Sequence, residues 1–239
     1  MRNKWQILRI FLLLILTVVL YSFSNKRNQQ RNVKDALVVF TNPEQLYISM
    51  GAIYSMLTQD LDTIDFKVQE ISIKRMEEEI LKHPMVADAE VFMTLDGILS
   101  AEVTQRTPIG RCVNKDGVQY LDQVGVFMPL SSNYSARVPL LYGIEDSISV
   151  KNIMPLLWAI QEDEFMKQSV VSIIQNDRGC VNLQIRQNNL EILFGEVKEL
   201  DNKFRKLKGF IKYTRDEKTL ENYKTINLEY EGQVVATKK

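Results

Sequence analysis

The period of apolar residues changes within residues 72–107, and each period predicts a different element. Apolar residues follow a helical period in residues 73–81, directly after Ser72, which suits the first capping position of a helix. They alternate with polar residues in 89–103, apart from an interruption at Asp96-Gly97, a dipeptide that favours a tight primed turn. The stretch therefore predicts a helix, a strand, a tight turn and a returning strand.

Two further elements precede this stretch. The run ALVVFT in residues 36–41 predicts a short strand, and residues 51–58 predict a helix. The resulting order, β-α-α-β-β within residues 35–107, predicts a small α+β unit.

The second half of the chain predicts an antiparallel sheet with helices on its faces or ends. Apolar runs separated by turn residues predict strands, and Asp177-Arg178-Gly179 and Asn188-Asn189 predict two of the turns. A helix containing Ile153, Leu156, Leu157 and Ile160 is predicted to begin near Asn152, because Pro155 is best tolerated in a first turn. A final strand over residues 225–235 is predicted from the alternation of Ile226, Leu228 and Tyr230 with polar residues.

A basic amphipathic helix lies between these strands. Leu200, Phe204, Leu207 and Ile211 form its apolar face. Its cations admit two interpretations, a basic binding patch or a solvated helix face, and the solvated face is favoured. These cations are Lys203, Arg205, Lys206 and Lys208.

The N-terminal segment is apolar enough to predict a membrane anchor. From Trp5 to Phe23 a helix would extend about 28 Å, which reaches across the hydrocarbon core. We predict a tail at residues 1–4, a transmembrane signal anchor at 5–24 and a linker at 25–34. A cleavable signal peptide is the alternative, with Ser22 and Ser24 as a weak cleavage pattern. Basic residues flank both ends of the span, so local charge does not decide its orientation.

Composition narrows the chemistry. The 239 residues carry 30 basic and 30 acidic side chains, and this balance argues against a nucleic-acid partner held by a general positive field. The two cysteines, Cys112 and Cys180, form no CxxC motif, so no metal site is predicted, and whether they pair is left open. No GxSxG, HExxH, SxxK or phosphate-binding loop occurs. We therefore predict no catalytic residues, no cofactor and no small-molecule substrate.

The single histidine does not change this conclusion. Pro84 follows His83 directly and disfavours helix there, so His83 and Lys82 are predicted to be cations in the last helical turn. A catalytic or metal role would need partners, and no second histidine exists. A thiol-protease pair with Cys112 is a poor alternative, because nothing would orient the imidazole.

The order of several motifs resembles the FtsQ/DivIB cell-division family, in the style of its Bacteroidota members. HPMVADAEV, a DG turn and VTQRTPIGR resemble the polypeptide-transport-associated (POTRA) domain of that family. The resemblance continues through QYLDQVGVFMPL, YSARVPLLYG, LEILFGEVKELDNKFRKLKGF and INLEYEGQVV. It implies an α+β protein with a single transmembrane helix, a POTRA domain at residues 35–107 and a β-rich domain of mixed antiparallel sheet at 108–239.

The resemblance also implies a function. Members are non-catalytic scaffolds of the division machinery, with a short cytoplasmic N-terminus and a periplasmic body at the septum of the inner membrane. Their extracytoplasmic domain binds FtsB/DivIC-like and FtsL-like partners and helps control septal peptidoglycan synthesis. A POTRA-bearing translocation or envelope-assembly component is the alternative function, although barrel strands after the unit are not predicted. An envelope hydrolase would need the missing nucleophile motif.

The resemblance places partner binding on the final strand, where a partner adds to an exposed sheet edge. Such an edge offers unpaired backbone groups, and an aromatic side chain gives a rigid anchor. The implied partner-binding residues are Tyr230, Glu231, Gly232, Gln233, Val234 and Val235. The match weakens after Val235, so the end of the site is open, and the alternative is a strand that only completes the sheet.

Overall fold

The computed structural model describes residues 2–29, 33, 35–59, 72–115, 117–187 and 190–239. The first element is the helix α1 (Arg2–Gln29). Its segment Arg9–Lys26 is long and apolar enough to cross a membrane, and none of that segment is buried within the protein. The remaining elements are divided between two compact units, residues 1–105 and 106–239. The predicted turn residues Asn188 and Asn189 lie outside the described residues.

The first unit has the predicted β-α-α-β-β order in its described residues. Its elements are β1 (Asp35–Phe40), α2 (Met50–Thr58), α3 (Ile73–Leu81), β2 (Val86–Met93) and β3 (Ile98–Gln105). The sheet order is β1-β3-β2, with β1 parallel and β2 antiparallel to β3. Leu99, Ala101 and Val103 are fully buried, because the central strand β3 has a neighbour on each side and helices over one face. The predicted α+β class is confirmed.

The hairpin between β2 and β3 has a different turn from the predicted one. Thr94 accepts a hydrogen bond from the Gly97 amide, and its own amide donates to Ile98. Within this turn only Gly97 has a positive φ (86°), whereas a type I′ turn needs positive φ at both central residues. The connection is therefore a three-residue loop with the glycine in the left-handed position.

His83 lies beyond the helix, which corrects its prediction as a cation in the last turn. The helix α3 ends at Leu81 with Lys82 as its C-cap. The Nδ1 atom of His83 accepts a hydrogen bond from the Met85 amide at 3.2 Å. Burial lowers the pKa of His83 below its ordinary value of 6.5 because the charged form is desolvated, so the neutral imidazole predominates at pH 7.

The second unit is built on a nine-stranded sheet. Its strands are β4 (Pro108–Asn114), β5 (Gly117–Asp122), β6 (Phe127–Met128), β7 (Leu140–Tyr142), β8 (Val170–Gln175), β9 (Val181–Ile185), β10 (Glu191–Gly195), β11 (Tyr223–Asn227) and β12 (Val235–Lys238). The order across the sheet is β12-β11-β10-β9-β8-β7-β4-β5-β6. Most neighbours are antiparallel as predicted, but the pairs β10/β11, β7/β8 and β4/β7 are parallel. The sheet is therefore mixed.

In the described residues of this unit, three α-helices pack with the sheet around one apolar core. They are α4 (Ser147–Glu162), α5 (Glu164–Ser169) and α6 (Leu200–Asp216). The core includes Ile153, Leu157, Phe194 and Leu207, each at most 1% exposed. These side chains come from both the helices and the sheet, so the unit has a continuous interior.

The helix α4 begins well before the predicted position near Asn152. Asp146 accepts a hydrogen bond from the Ser149 amide at 2.7 Å, and the Ser149 hydroxyl accepts one from the Asp146 amide at 3.0 Å. This capping box starts the helix at Ser147 and leaves Pro155 in the helix interior. Pro155 lies on the exposed face, where water can satisfy the carbonyl group that has lost its intrahelical donor.

The last predicted strand is two strands in the structure. The predicted strand of residues 225–235 ends at Asn227, whose Oδ1 atom accepts the Glu229 amide at 2.8 Å and so turns the chain. Gly232 then adopts a φ of 70°, and β12 returns antiparallel to β11. The alternation of Ile226, Leu228 and Tyr230 was misleading because Leu228 is buried after the strand has ended.

His83→Asn tests the neutral state of the imidazole. The folded pKa lies below the unfolded value of about 6.5, so the unfolded chain binds this proton first as pH falls. The contribution of neutral His83 to the free energy of unfolding is complete above the unfolded pKa and is lost as pH falls through the folded pKa. We expect the variant, which keeps a short acceptor, to lose less stability between about pH 7 and pH 5.5. Urea unfolding of the wild type and the variant in neutral detergent measures this difference. An equal dependence of the unfolding free energy on pH in the two proteins would contradict the prediction.

Candidate partner-binding site

The predicted partner-binding residues occupy a connection and the start of a strand. Tyr230, Glu231, Gly232, Gln233 and Val234 lie between β11 and β12, and Val235 is the first residue of β12. The six residues are therefore contiguous beside one end of the sheet. They do not form the continuous strand that the sequence predicted.

The strand β12 stands at the edge of the nine-stranded sheet. On one side it pairs with β11, through partners such as Ile226 with Ala236 and Asn227 with Val235. No described strand pairs with its other side. Because only part of an edge strand's backbone bonds to its neighbour, the other amide and carbonyl groups face the open side. The open edge extends to Lys238, beyond the residues that the sequence implied.

Tyr230 is the large exposed side chain next to this edge. Its side chain is 51% exposed, and that of Val235 is 42% exposed. Gln233 is also exposed, whereas Val234 is half-buried and packs against the core. The connection thus holds itself on the unit through Val234 and presents Tyr230 outward. A charged substitution at Val234 would disturb the core, so it cannot serve as a specific test of the surface.

Lys206 fixes the backbone of this connection. Its ammonium group donates to the Tyr230 carbonyl at 2.9 Å and to the Leu228 carbonyl at 3.3 Å. Both carbonyls belong to irregular backbone, which has no ladder partner to satisfy them. Charge-assisted hydrogen bonds of this kind are about twice as strong as neutral ones. Sequence reasoning missed Lys206 as a positioning residue.

Lys203, one turn earlier on α6, also donates to backbone carbonyls, in this case at the end of β10. Its side chain is only 8% exposed, and its ammonium group donates to the carbonyls of Phe194 (2.8 Å) and Glu196 (2.7 Å) at the end of β10. The ammonium also lies 4.6 Å from the centre of the Phe194 ring. Burial lowers the pKa of Lys203 because the charged form is desolvated.

These contacts correct both interpretations of the basic helix. Lys203 and Lys206 are bound to backbone carbonyls, and Lys208 is paired with the Asp163 carboxylate. Of the four cations, Arg205 is exposed to solvent, whereas Lys206 and Lys208 are half-buried. These four cations therefore form neither a basic binding patch nor a fully solvated basic face.

The described residues contain few groups that could take part in catalysis. Cys112 is completely buried in β4, and burial raises the pKa of its thiol to about 12, so it carries no reactive thiolate. Both cysteines are free. Within the described ranges, no group of three or more histidine, cysteine, aspartate or glutamate side chains has a geometry that could hold a metal ion.

The β-α-α-β-β unit, the mixed-sheet unit with an open edge and one candidate membrane helix define a protein of the POTRA-bearing class. Residues 33–104 match the family model of a POTRA-like domain, and residues 107–237 match the model described as FtsQ/DivIB, C-terminal related. The second match covers more than half of the chain, so the chain belongs to the FtsQ/DivIB family. A comparison with curated proteins found no match.

Family membership gives the general function. The chain is an FtsQ-type cell-division protein, and its family is non-enzymatic. Together with the candidate membrane helix, this indicates a single-pass membrane protein of the divisome.

Lys206→Met tests whether this lysine positions the connection before β12. The substitution keeps the length of the side chain but removes both hydrogen bonds. We expect faster amide hydrogen exchange in residues 228–233 and little change in the exchange of the β8 and β9 amides. Lys212→Met, at an exposed position of the same helix, is the matched control and should leave the exchange of both segments unchanged. Equal effects of the two substitutions would refute the positioning role.

Proposed function

We propose that this FtsQ-type protein is a non-catalytic, bitopic divisome scaffold. It binds FtsB/DivIC-like and FtsL-like proteins and thereby helps control septal peptidoglycan synthesis. The partner-binding site consists of residues Tyr230 to Val235 together with the open edge of β12. The observation that carries the proposal is the position of an exposed, backbone-fixed Tyr230 beside an unpaired strand edge.

An added strand suits this edge. A partner segment would take up the free amide and carbonyl groups of β12, and each backbone hydrogen bond contributes about 0.5–1.5 kcal/mol net. A strand of four residues makes few such bonds, so the edge alone gives modest affinity. An aromatic anchor at the end of the edge supplies much of the remainder, since tyrosine is a frequent hot-spot residue. Fixing the Tyr230 backbone through Lys206 reduces the entropy lost on binding.

The alternative role for β12 is protection of the sheet. Lysines on an edge strand discourage pairing with other chains, and Lys238 and Lys239 are both exposed. Two exposed side chains, Tyr230 and Val235, favour a binding edge. They add apolar surface beside β12, and a strand that only protects the sheet does not need this surface.

We propose the following organisation of the chain. Residues 1–4 are a cytoplasmic tail, 5–24 the uncleaved anchor, 25–34 a linker, 35–107 the POTRA domain and 108–239 the partner-binding domain. The body lies in the periplasm at the division septum of the inner membrane. The observed units and family matches support this division, and the family supports the orientation.

Tyr230→Ala and removal of residues 235–239 test the partner site. We expect Tyr230→Ala to weaken copurification of the FtsB/DivIC-like partner by about tenfold or more, in keeping with a hot-spot anchor. Removal of 235–239 should abolish copurification and septal function, because it deletes the edge. Membrane level and near-ultraviolet circular dichroism report whether each variant is folded.

Tyr213→Ala provides the matched control. Tyr213 is 64% exposed on α6, so this change also removes an exposed tyrosine ring but leaves the proposed site intact. It should copurify the partner as well as the wild type does. If Tyr230→Ala and the truncated chain recruit the partner at full level, the site lies elsewhere, and the POTRA domain becomes the next candidate.

A reporter fused after Lys239 tests the orientation. An alkaline phosphatase fusion at this position should be active and a green fluorescent protein fusion inactive, because the body is exported. Mass spectrometry of the membrane-bound chain should find an intact N-terminal segment through Phe23. A mature chain that begins near Asn25 would show instead that a signal peptide is removed.

A further inference from the structure

The second unit contains a basic cleft that shares no residue with the strand edge. The cleft is a cavity of about 900 Å³. Four basic side chains line it, each from a different segment: the approach to β7, α5, the end of β9 and the last turn of α6. These are Arg137, Lys167, Arg186 and Arg215. We call this cavity the basic cleft.

The concentration of charge in the basic cleft is not a consequence of composition. The chain as a whole has 30 basic and 30 acidic residues, yet no acidic residue of the described part of the chain lines this cavity. Among the described residues, none of the four basic side chains has an ion-pair or hydrogen-bond partner, in contrast to Lys203, Lys206 and Lys208 of α6. Unpaired cations around a concave surface reinforce one another's potential and attract anions.

The wall of the basic cleft is partly apolar. Val138, Leu140, Phe165 and Val171 contribute to its lining, and Val171 is 37% exposed. A ligand that fits must therefore present apolar groups as well as negative charge. A cavity of this volume can hold a short peptide segment, since pockets for drug-sized ligands measure about 300–1,000 Å³.

We propose that the basic cleft binds an acidic peptide segment of a partner protein, at a site separate from the strand edge. Several carboxylates would pair with arginines from different segments, and arginine binds carboxylate through two parallel hydrogen bonds. One inorganic phosphate is small beside a cavity of about 900 Å³ and would leave most of it, including the apolar wall, unfilled. A membrane surface is also a poor fit, because a planar layer of headgroups does not enter a concave site.

The test is the binding of a labelled acidic peptide to the full chain in neutral detergent. The probe is a fluorescein-labelled peptide of glutamates with one central phenylalanine, and the comparison peptide has glutamine in place of glutamate. We expect fluorescence anisotropy to show binding of the acidic peptide alone, with an affinity that falls as salt concentration rises. Arg186→Glu combined with Arg215→Glu should weaken binding by about tenfold or more.

Arg178→Glu combined with Arg205→Glu is the matched control. Both arginines are exposed and outside the basic cleft, and Arg205 lies on the same helix as Arg215. The control should bind the acidic peptide within about twofold of the wild type, since the net charge change is equal and only the position differs. Equal losses in the two double variants would mean a general charge effect and would overturn the proposal.

Competition identifies the ligand chemistry. Inorganic phosphate and a soluble short-chain phosphatidylglycerol should each displace the peptide only at concentrations far above that of the peptide. Displacement by phosphate at a comparable concentration would indicate a simple anion site, and displacement by the lipid would indicate a headgroup site. Either result would overturn the peptide proposal. Removal of residues 235–239 should leave peptide binding unchanged, which separates the basic cleft from the strand edge.

Discussion

The edge of the large sheet depends on lysine side chains that satisfy backbone carbonyls. Lys203 reaches the end of β10 from α6, and Lys206 reaches the irregular connection after β11. Carbonyls outside a ladder must find donors, and a buried ammonium is stable only when its hydrogens are accepted. Here each ammonium group supplies the donor that the carbonyls need, and the carbonyls accept its hydrogens. Helix α6 thereby holds the segment that carries Tyr230, so the geometry of the sheet edge follows from these hydrogen bonds.

This arrangement explains how a small edge strand can be ordered without being covered. The strand β12 has four residues and one neighbour, and an isolated strand of this length has little stability. Val234 packs against the core just before it, and the Lys239 amide donates to the Asn222 carbonyl at 2.8 Å just after it. The strand is therefore fixed at both ends while its outer side remains open. An ordered open edge binds an extended segment with a small loss of entropy.

The charges of the second unit are distributed in two ways. On α6 most of the lysines are used internally, to hold carbonyls or to pair with Asp163. Around the basic cleft the cations have no such use among the described residues, although the number of acids in the chain equals the number of bases. The zero net charge of the whole chain therefore describes neither the surface of α6 nor that of the basic cleft. The two surfaces have different chemistry, one offering backbone groups and an aromatic ring, the other a positive potential.

The sequence by itself determined the elements whose signal is local. The Ser72 cap, the alternation in β2 and β3, and the apolar length of α1 depend on neighbours in the chain, and the motif order identified the family. Two further local signals, the capping box at Asp146 that starts α4 before Pro155 and the turn at Asn227 that ends β11, were missed in the sequence. Tertiary structure decided the rest. Lys203 and Lys206 bond to carbonyls of other elements. Arg137 and Arg215, which are distant in sequence, line the same cavity. Periodicity reports which face a residue occupies, but not which carbonyl or cavity lies opposite that face.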